Sequence, residues 1–481
     1  MKPILRLSFF LFFLLLTGFL SCKKDSSEDG NNSSNNKPVA IAGQDQAITF
    51  PINSCTLDGS TSNDPDGKIS GYHWSKIQGP TSYSIQNRSA AQTTVNNLSV
   101  GVYRFELMVI DNGGSIARDT VQVTVHPGNA DSCDVSDRQQ VNATLTQIGT
   151  LSEPRAPSVA AAGGKIVFAG GPSVFTNNNG TINSSPSAAV DIYDIGTKSW
   201  TRAQLSQARQ GMAAVSCGNK IFFAGGSMST VNFIGQDVYD NVDIYDITSN
   251  SWTVAHLSEP RSFLAAAAIG SKVFFAGGTK DGMYGSKTVD IYDTVSKQWS
   301  VANLSEARFS LSAITSDNKV YFAGGSDKDK FYSQIDIYDT VNNNWSTSSL
   351  IELSNGISVV ALGDFIYWGG ANWTQNTGKA EIWNTKNGGV TISCLSYPRS
   401  HPTAVIKGEN IVFFTSGNYG SFSATENRFD IYNTITNKWS VGSLNQAIAG
   451  ASFINVDSVI YVGGGVMDQN TFTDKVYTLN W

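Results

Sequence analysis

The residues best equipped to hold a ligand stand in loops. Phe175, Phe233 with Tyr239, Tyr284, Phe331 with Tyr332, Trp373, Tyr419 with Phe422, and Phe472 each precede, at a short distance, an acidic-aromatic stretch such as "DIYD". Their neighbours are amides: Asn177–Asn179, Asn232, Asn372, Gln375, Asn376 and Asn418. A ring face beside amide donors and acceptors suits a sugar ring or a peptide, held without covalent chemistry. The same rings have a second use, folding down onto their own loops. A further set is charged. Arg155, Arg209, Arg261, Arg308 and Arg399 close "LSEPR" or a variant of it, and Glu153, Glu259 and Glu306 stand two residues before three of them. Glu–Arg pairs at that spacing would knit neighbouring structural units. Asn355 and Ile448 interrupt the series, so a complete arginine ring is not required.

Other chemistry is poorly provided for. The histidines are His73, His126, His256 and His401, and no Ser-His-Asp order, phosphate-binding loop or metal-ligand cluster stands out. No cofactor and no metal is expected. The formal charge is −6 and only 15% of residues are charged, with no Lys/Arg block beyond the N-terminus, so nucleic acid is not an expected partner. Cys55, Cys133, Cys217 and Cys394 show no CxxC or Cys/His spacing, which argues against zinc. A Cys55–Cys133 bridge is one of the pairings that the sequence leaves open.

The loops and arginines recur because the chain repeats. Double glycines fall at Gly170-Gly171, Gly225-Gly226, Gly277-Gly278, Gly324-Gly325, Gly369-Gly370 and Gly463-Gly464, and Thr415-Ser416 replaces the pair in one further copy. A "DIYD"-like strand follows each, starting at Asp191, Asp243, Asp290, Asp336, Glu381, Asp430 and Lys475, and most copies add a tryptophan: Trp200, Trp252, Trp299, Trp345 and Trp439. The period of roughly 45–55 residues is that of kelch repeats. Residues 142–481 resemble a kelch β-propeller. Each copy supplies an apolar strand after the arginine, one running into the glycines, "VDIYD", and the Trp segment. One blade cannot bury both its faces, so blades must stack into a ring. The last copy stops after its third strand, and an orphan strand, "NATLTQIG" (142–149), precedes the first. Together they predict seven blades, closed by both chain ends.

The resemblance carries expectations about the mouth of the ring. In some kelch propellers, arginines at the start of the innermost strand bind acidic peptides, and Arg155, Arg209, Arg261, Arg308 and Arg399 hold those positions here. The aromatic loops would emerge on one face. Galactose-oxidase relatives carry copper on Tyr and His, but neither His256 nor His401 lies in a Tyr-His motif. A kelch sugar mutarotase would need only acid–base groups in the mouth, for which Glu259, Glu306 and Arg399 are candidates.

Ahead of the repeats, residues 1–21 combine Lys2 and Arg6, an apolar run Leu7–Leu20 and a small residue before Cys22. This resembles a bacterial lipoprotein signal, which implies acylation of Cys22 and anchorage in the outer membrane. Residues 22–37 read as a flexible polar tether, whose Asp25, Glu28 and Asp29 resemble surface-export signals. Residues 38–127 alternate short strands with turns, with "DNGG" as a hairpin and Trp74 as a core residue. From "LDGSTSNDPDGKISGYHW" and "GVYRFELMVIDNGG" this segment resembles a PKD domain, an Ig-like sandwich. Asp64, Asp66 and Asp111 serve either turn chemistry or calcium. Residues 128–141 form a linker. The expected whole is all-β: a seven-bladed kelch β-propeller preceded by a small Ig-like β-sandwich, monomeric, lipid-anchored and surface-exposed. It would present a loop face to a glycan or protein ligand. A mutarotase-like enzyme is the competing reading.

Overall fold

The computed structural model describes residues 35–49, 52–80, 83–96, 98, 101–126, 135–176, 182–228, 238–328, 330–351, 356–372, 377–397, 399, 402–414, 427–467 and 471–481. Cys22, the export signal and most of the tether lie outside them, as do Asn355 and Thr415-Ser416. Every regular element among the described residues is a strand, and none of them contains a helix long and apolar enough to cross a membrane.

The N-terminal unit packs a sheet of Gln46–Thr49, Ile116–His126, Gly101–Asp111 and Ile69–Gln78 against a smaller one of Cys55–Asp58, Gln92–Asn96 and Ser84–Ile85. Alternation in "YRFELMVID" sends Tyr103, Phe105, Leu107 and Val109 inward, where Trp74 is fully buried. The "DNGG" hairpin forms as its residues predict. Asp111 accepts the amides of Gly113 and Ser115 and the side chain of Asn35, which is turn chemistry.

From Ser158 onward the chain builds antiparallel sheets ordered as inner strand, second strand, "DIYD"-like strand and outer strand, the outer strand carrying a Trp in five of them. Ser158–Ala162, Ala213–Cys217, Ala265–Ile269, Ser312–Ser316, Ser358–Leu362, Thr403–Lys407 and Ser452–Val456 are the inner strands. Each touches the next, and the last touches the first. The second strands are buried on both faces; Ile221, Phe222, Phe223 and Ala224 are all fully covered. Facing sheets fill the space between them with one cluster per junction, such as Ala265, Phe274, Leu304, Leu311, Val320 and Tyr338. The "DIYD" tyrosines pack against the tryptophan beside them, stacked in Tyr245–Trp252 at 4.9 Å and tilted in Tyr338–Trp345 at 5.1 Å.

The strand Gln139–Thr150 is longer than expected and does two things. It pairs antiparallel with Lys475–Asn480, supplying the fourth strand of the last sheet. It also pairs in parallel with Lys438–Leu444, the Trp strand of the preceding sheet, so that these two sheets merge into one of eight strands.

Two repeat assignments shift. In the last copy the glycines with left-handed backbone are Gly464 and Gly465 (φ 64° and 93°), matching Gly225 and Gly226, rather than Gly463-Gly464. There Tyr477, and not Lys475, occupies the place of Asp191, because Val462 faces Tyr477 as Phe168 faces Asp191. Gly369-Gly370 does not turn at all. It continues the strand Phe365–Asn372, paired with Thr377–Asn384.

Candidate interaction face and the clamps beneath it

The recurrent arginines do not line an open mouth. Arg155, Arg209, Arg261, Arg308 and Arg399 have side chains with no exposed surface. Their partner is the first aspartate of "DIYD" in the same repeat. Arg155 Nη2 lies 2.8 Å from Asp191 and Arg209 Nη2 2.5 Å from Asp243, and the same pairing joins Arg261 to Asp290, Arg308 to Asp336 and Arg399 to Asp430. The expected Glu–Arg pairs are therefore replaced by Arg–Asp pairs. Among the described residues, Glu259 alone of the three brings its carboxylate to its own arginine, at 3.7 Å from Arg261 Nε.

The rest of "LSEPR" serves the same carboxylate. The motif's serine donates its amide to it: Ser152 to Asp191 (3.0 Å), Ser206 to Asp243 (2.9 Å), Ser258 to Asp290 (3.0 Å), Ser305 to Asp336 (2.9 Å) and Ser396 to Asp430 (3.0 Å). The motif's leucines (Leu151, Leu205, Leu257, Leu304 and Leu395) are buried beside it. A buried ion pair is tolerable only when its spare lone pairs are filled, and these amides fill them. The guanidinium also donates to carbonyls of its own second strand, at Phe168, Phe223, Phe275 and Phe322.

The arginine main chain faces the other way, to the preceding repeat. Its carbonyl accepts from the second glycine of that repeat's pair: Gly171 to Arg209 (3.0 Å), Gly226 to Arg261 (2.9 Å), Gly278 to Arg308 (3.0 Å) and Gly465 to Arg155 (2.9 Å). The first glycine must let that carbonyl in. A Cβ on Gly225 would stand 2.2 Å from the Arg261 oxygen, and one on Gly464 2.1 Å from that of Arg155. One residue thus joins its own sheet through its side chain and the preceding sheet through its backbone.

Where the arginine is missing, the carboxylate changes too. Ile448 stands at the arginine position of the last repeat, and Tyr477 replaces the aspartate; both are buried in the same apolar cluster. The fifth repeat keeps a carboxylate, Glu381, which accepts the Ile351 amide and the Trp383 indole N–H.

Of the loop aromatics, Phe233, Trp373, Tyr419 and Phe422 lie outside the described residues, as does the side chain of Phe175, whose backbone pairs with Asn183 in a two-stranded ladder. Tyr239 is half-buried and bonded to Gln207. Tyr332 and Phe472 are 8% exposed, so they pack inward rather than onto the face. Tyr284 and Phe331 stay exposed, at 52% and 40%. Their loops are docked on each other: Lys328 donates its amide to the Met283 carbonyl (2.7 Å) and Gly285 to Asp327 Oδ1 (2.7 Å). Thr279 Oγ1 and Asp281 Oδ1 take the amides of Gly282, Met283 and Tyr284, which fixes the first loop. Met283, Tyr284 and Phe331 are exposed on these two docked loops, and Lys328 stands over the Tyr284 ring (5.9 Å) and Lys330 over that of Tyr332 (4.3 Å). Sequence reasoning found the rings but missed the lysines, because nothing in "SDKDKF" says that it meets "DGMY".

Glu259, a candidate acid–base group, is committed elsewhere. It accepts Ser286 Oγ (2.5 Å) and Lys280 Nζ (2.7 Å). Burial pushes its pKa up, but those bonds and one from Thr288 outweigh it and leave the pKa at about 2. A group this acidic holds no proton to donate near neutral pH. The cysteine pairing also needs correction: among the described residues Cys55 and Cys217 are free, so Cys55 forms no bridge, and Cys394 is disulfide-bonded. Cys55 is half-buried against the sandwich core, with no partner to bridge to.

Comparison with known proteins separates the same two parts. Residues 42–125 match the family model described as K319L-like, PKD domain, and residues 158–370 match the KLHDC2/KLHL20/DRC7 Kelch-repeats domain. The chain is 43% identical over 95 residues to the mouse dyslexia-associated protein KIAA0319 homolog, which is 20% of this chain and 9% of that protein. It is 35% identical over 104 residues to Kelch-like protein 25 of Xenopus tropicalis, 21% of this chain and 17% of that one. The chain thus spans a small part of the relatives it matches. The solution structure of the PKD domain from KIAA 1837 protein is 40% identical, covers 21% of this chain and 97% of its own, and has a TM-score of 0.19. The chain carries a PKD domain followed by Kelch repeats in an all-β, propeller-like fold.

Proposed function

We propose that this protein is a non-catalytic, lipid-anchored binding protein of the bacterial cell envelope. Its Kelch repeats would form a seven-bladed ring, held away from the membrane by the tether and the PKD domain. PKD and Kelch domains together point to an interaction role, and the ligand proposed here is a protein, bound on the loop face around Tyr284 and Phe331. The observation that carries this reading is the pair of docked loops that expose Met283, Tyr284 and Phe331, with Lys328 over the Tyr284 ring. Exposed aromatics beside cations, set on a rigid scaffold, are the composition of an interface hot spot. The loop is fixed by its own hydrogen bonds, so little ordering entropy is lost on binding.

The test is a screen of immobilised envelope proteins and glycans with the mature protein, repeated with Tyr284→Ala and Lys328→Glu. A protein ligand weakened about tenfold or more in both variants supports the reading. A glycan hit lost in Tyr284→Ala would change the ligand class but not the face. Ligands bound equally by all three proteins would remove this face from consideration. Separately, labelled fatty acid should enter the wild-type protein and not Cys22→Ala.

A further inference from the structure

The inner strands Ser158–Ala162, Ala213–Cys217 and Ser452–Val456 stand side by side where the last repeat meets the first two. Toward the ends of these strands, away from the buried arginines, lies a cavity of about 530 Å³. We propose that this cavity binds a small uncharged polyhydroxylated molecule, of the size of one or two sugar rings. The site is separate from the loop face and does not depend on what that face binds.

The sequence of the first repeat makes the space. It reads "AAAGG" over residues 160–164, where the later repeats read "VSCGN", "AAIGS", "ITSDN", "VALGD", "VIKGE" and "INVDS". A shared hydrogen bond sets this alignment. The residue after a "DIYD"-like strand donates its amide to the fifth carbonyl of the run: Ile195 to Gly164, Ile247 to Asn219, Thr294 to Ser271. No other repeat carries so little side chain at these places, and a Cβ on Gly164 would meet nothing within 4 Å. The resulting volume lies within the range of about 300–1,000 Å³ typical of small-molecule sites.

The chemistry of the lining selects the ligand. Each inner strand is the end of its sheet, so among the described residues its second edge pairs with no strand. Peptide N–H and C=O groups along such an edge take their partners from solvent or ligand. Ser216 adds a hydroxyl, and Asn455 adds a carboxamide whose buried Nδ2 has no hydrogen-bond partner among the described residues. A buried donor left unmade is costly, so an acceptor supplied there gains more than one at an exposed group. Of the lining residues Asp457 alone is charged, and none is aromatic. A phosphate or carboxylate would find no cation and would meet the Asp457 carboxylate. A flat aromatic ligand would find no ring to stack on. A neutral polyol donates and accepts at many points, and its C–H faces suit the methyls of Ala161, Val215 and Ile454.

The test uses the full mature protein, with glucose, galactose and maltose as probes and galacturonate as the charged comparison. Titration calorimetry and methyl spectra of labelled alanines read the binding. A neutral sugar should bind at millimolar concentration or below and shift the methyls of residues 160–162, and galacturonate should not. Ala161→Ile copies Ile406, which holds that place in the sixth repeat, so it should fold as wild type and lose the binding. Asn455→Leu should weaken binding about tenfold, the worth of one well-made hydrogen bond, with no loss of stability. Tyr284→Ala should bind these probes as wild type does, which separates this site from the loop face. The proposal is overturned if no neutral probe binds, or if galacturonate binds as tightly as galactose. It also falls if Ala161→Ile keeps both the wild-type denaturant midpoint and the wild-type affinity. Should that variant lose stability, Asn455→Leu decides, and an unchanged affinity there overturns the proposal.

Discussion

The amide of Gly465 donates to the carbonyl of Arg155 at 2.9 Å, although the two stand at opposite ends of the repeats. The bond repeats the one from Gly226 to Arg261 within the series. The ring thus uses the same clamp at its closure as at its internal junctions. That equivalence makes the contribution of the clamp measurable at any one of them.

Gly225 tests the backbone half of the clamp. Its φ is +66°, and a Cβ would meet the Arg261 carbonyl oxygen at 2.2 Å. Gly225→Ala should cost about 3 kcal/mol or more, from left-handed strain plus separation of the sheets. Gly218, at φ +56°, has nothing within 4 Å of such a Cβ, so Gly218→Ala should cost about 1 kcal/mol. Denaturant midpoints of the two variants give the comparison, and equal losses would disprove the clamp.

The side-chain half is tested at Arg308 and Asp336. Arg308→Met leaves a buried carboxylate without its cation and should cost about 3–5 kcal/mol. The last repeat shows a working substitute in Ile448 and Tyr477. The double variant Arg308→Ile with Asp336→Tyr should recover at least half of that loss. A double variant as unstable as the single would mean that the apolar pair depends on its own surroundings.

Acid sensitivity should appear at Glu259. A carboxylate whose pKa falls on folding stabilises the fold above its unfolded value and loses that contribution as pH drops toward the folded one. For Glu259 the window runs from about 4.5 down to about 2. Wild type should be more stable than Glu259→Gln at pH 6, and the difference should fade as pH approaches 2. Unfolding curves at several pH values decide it, and a difference independent of pH would assign the effect to packing.

Thiol reactivity provides a check on the sandwich. Burial pushes the Cys55 thiol up to about 11 from 9.0. At pH 8 its thiolate fraction is then about a hundredfold below that of an unperturbed thiol. Alkylation in the folded protein should be slower by at least that factor than in denaturant. Fast labelling of the native protein would place Cys55 in a more open site.

Much of the fold was legible because its signals are local and repeated. Alternation in "YRFELMVID", the "DNGG" turn and the recurring Gly pairs, "DIYD" and Trp each report a neighbourhood of a few residues. The last repeat was misread by one residue at Gly463 and by two at Lys475 because three consecutive glycines, 463–465, offer two pairings. Only the ladder between Val459–Gly463 and Lys475–Asn480 selects one. The candidate site was half legible. The rings at Tyr284 and Phe331 stand out in sequence, whereas the inward turn of Tyr332 and Phe472 depends on what the sheet below leaves open.

The sequence by itself determined the all-β class, the sandwich ahead of the repeats, the repeat unit and the residues that recur in it. Period and residue type are properties of the chain, and short-range sterics convert them into strands and turns. Tertiary structure alone decided which carboxylate each arginine meets. Glu153, Glu259 and Glu306 are two residues away along the chain, yet the guanidinium of each neighbouring arginine is buried and turned to the carboxylate of its own sheet. Asp191, Asp290 and Asp336 are distant in sequence but are brought to the arginines by the third strand of the same sheet, where burial makes an unmatched arginine too costly. The same holds for Cys394, whose neighbour Arg138 becomes adjacent only when the ring closes.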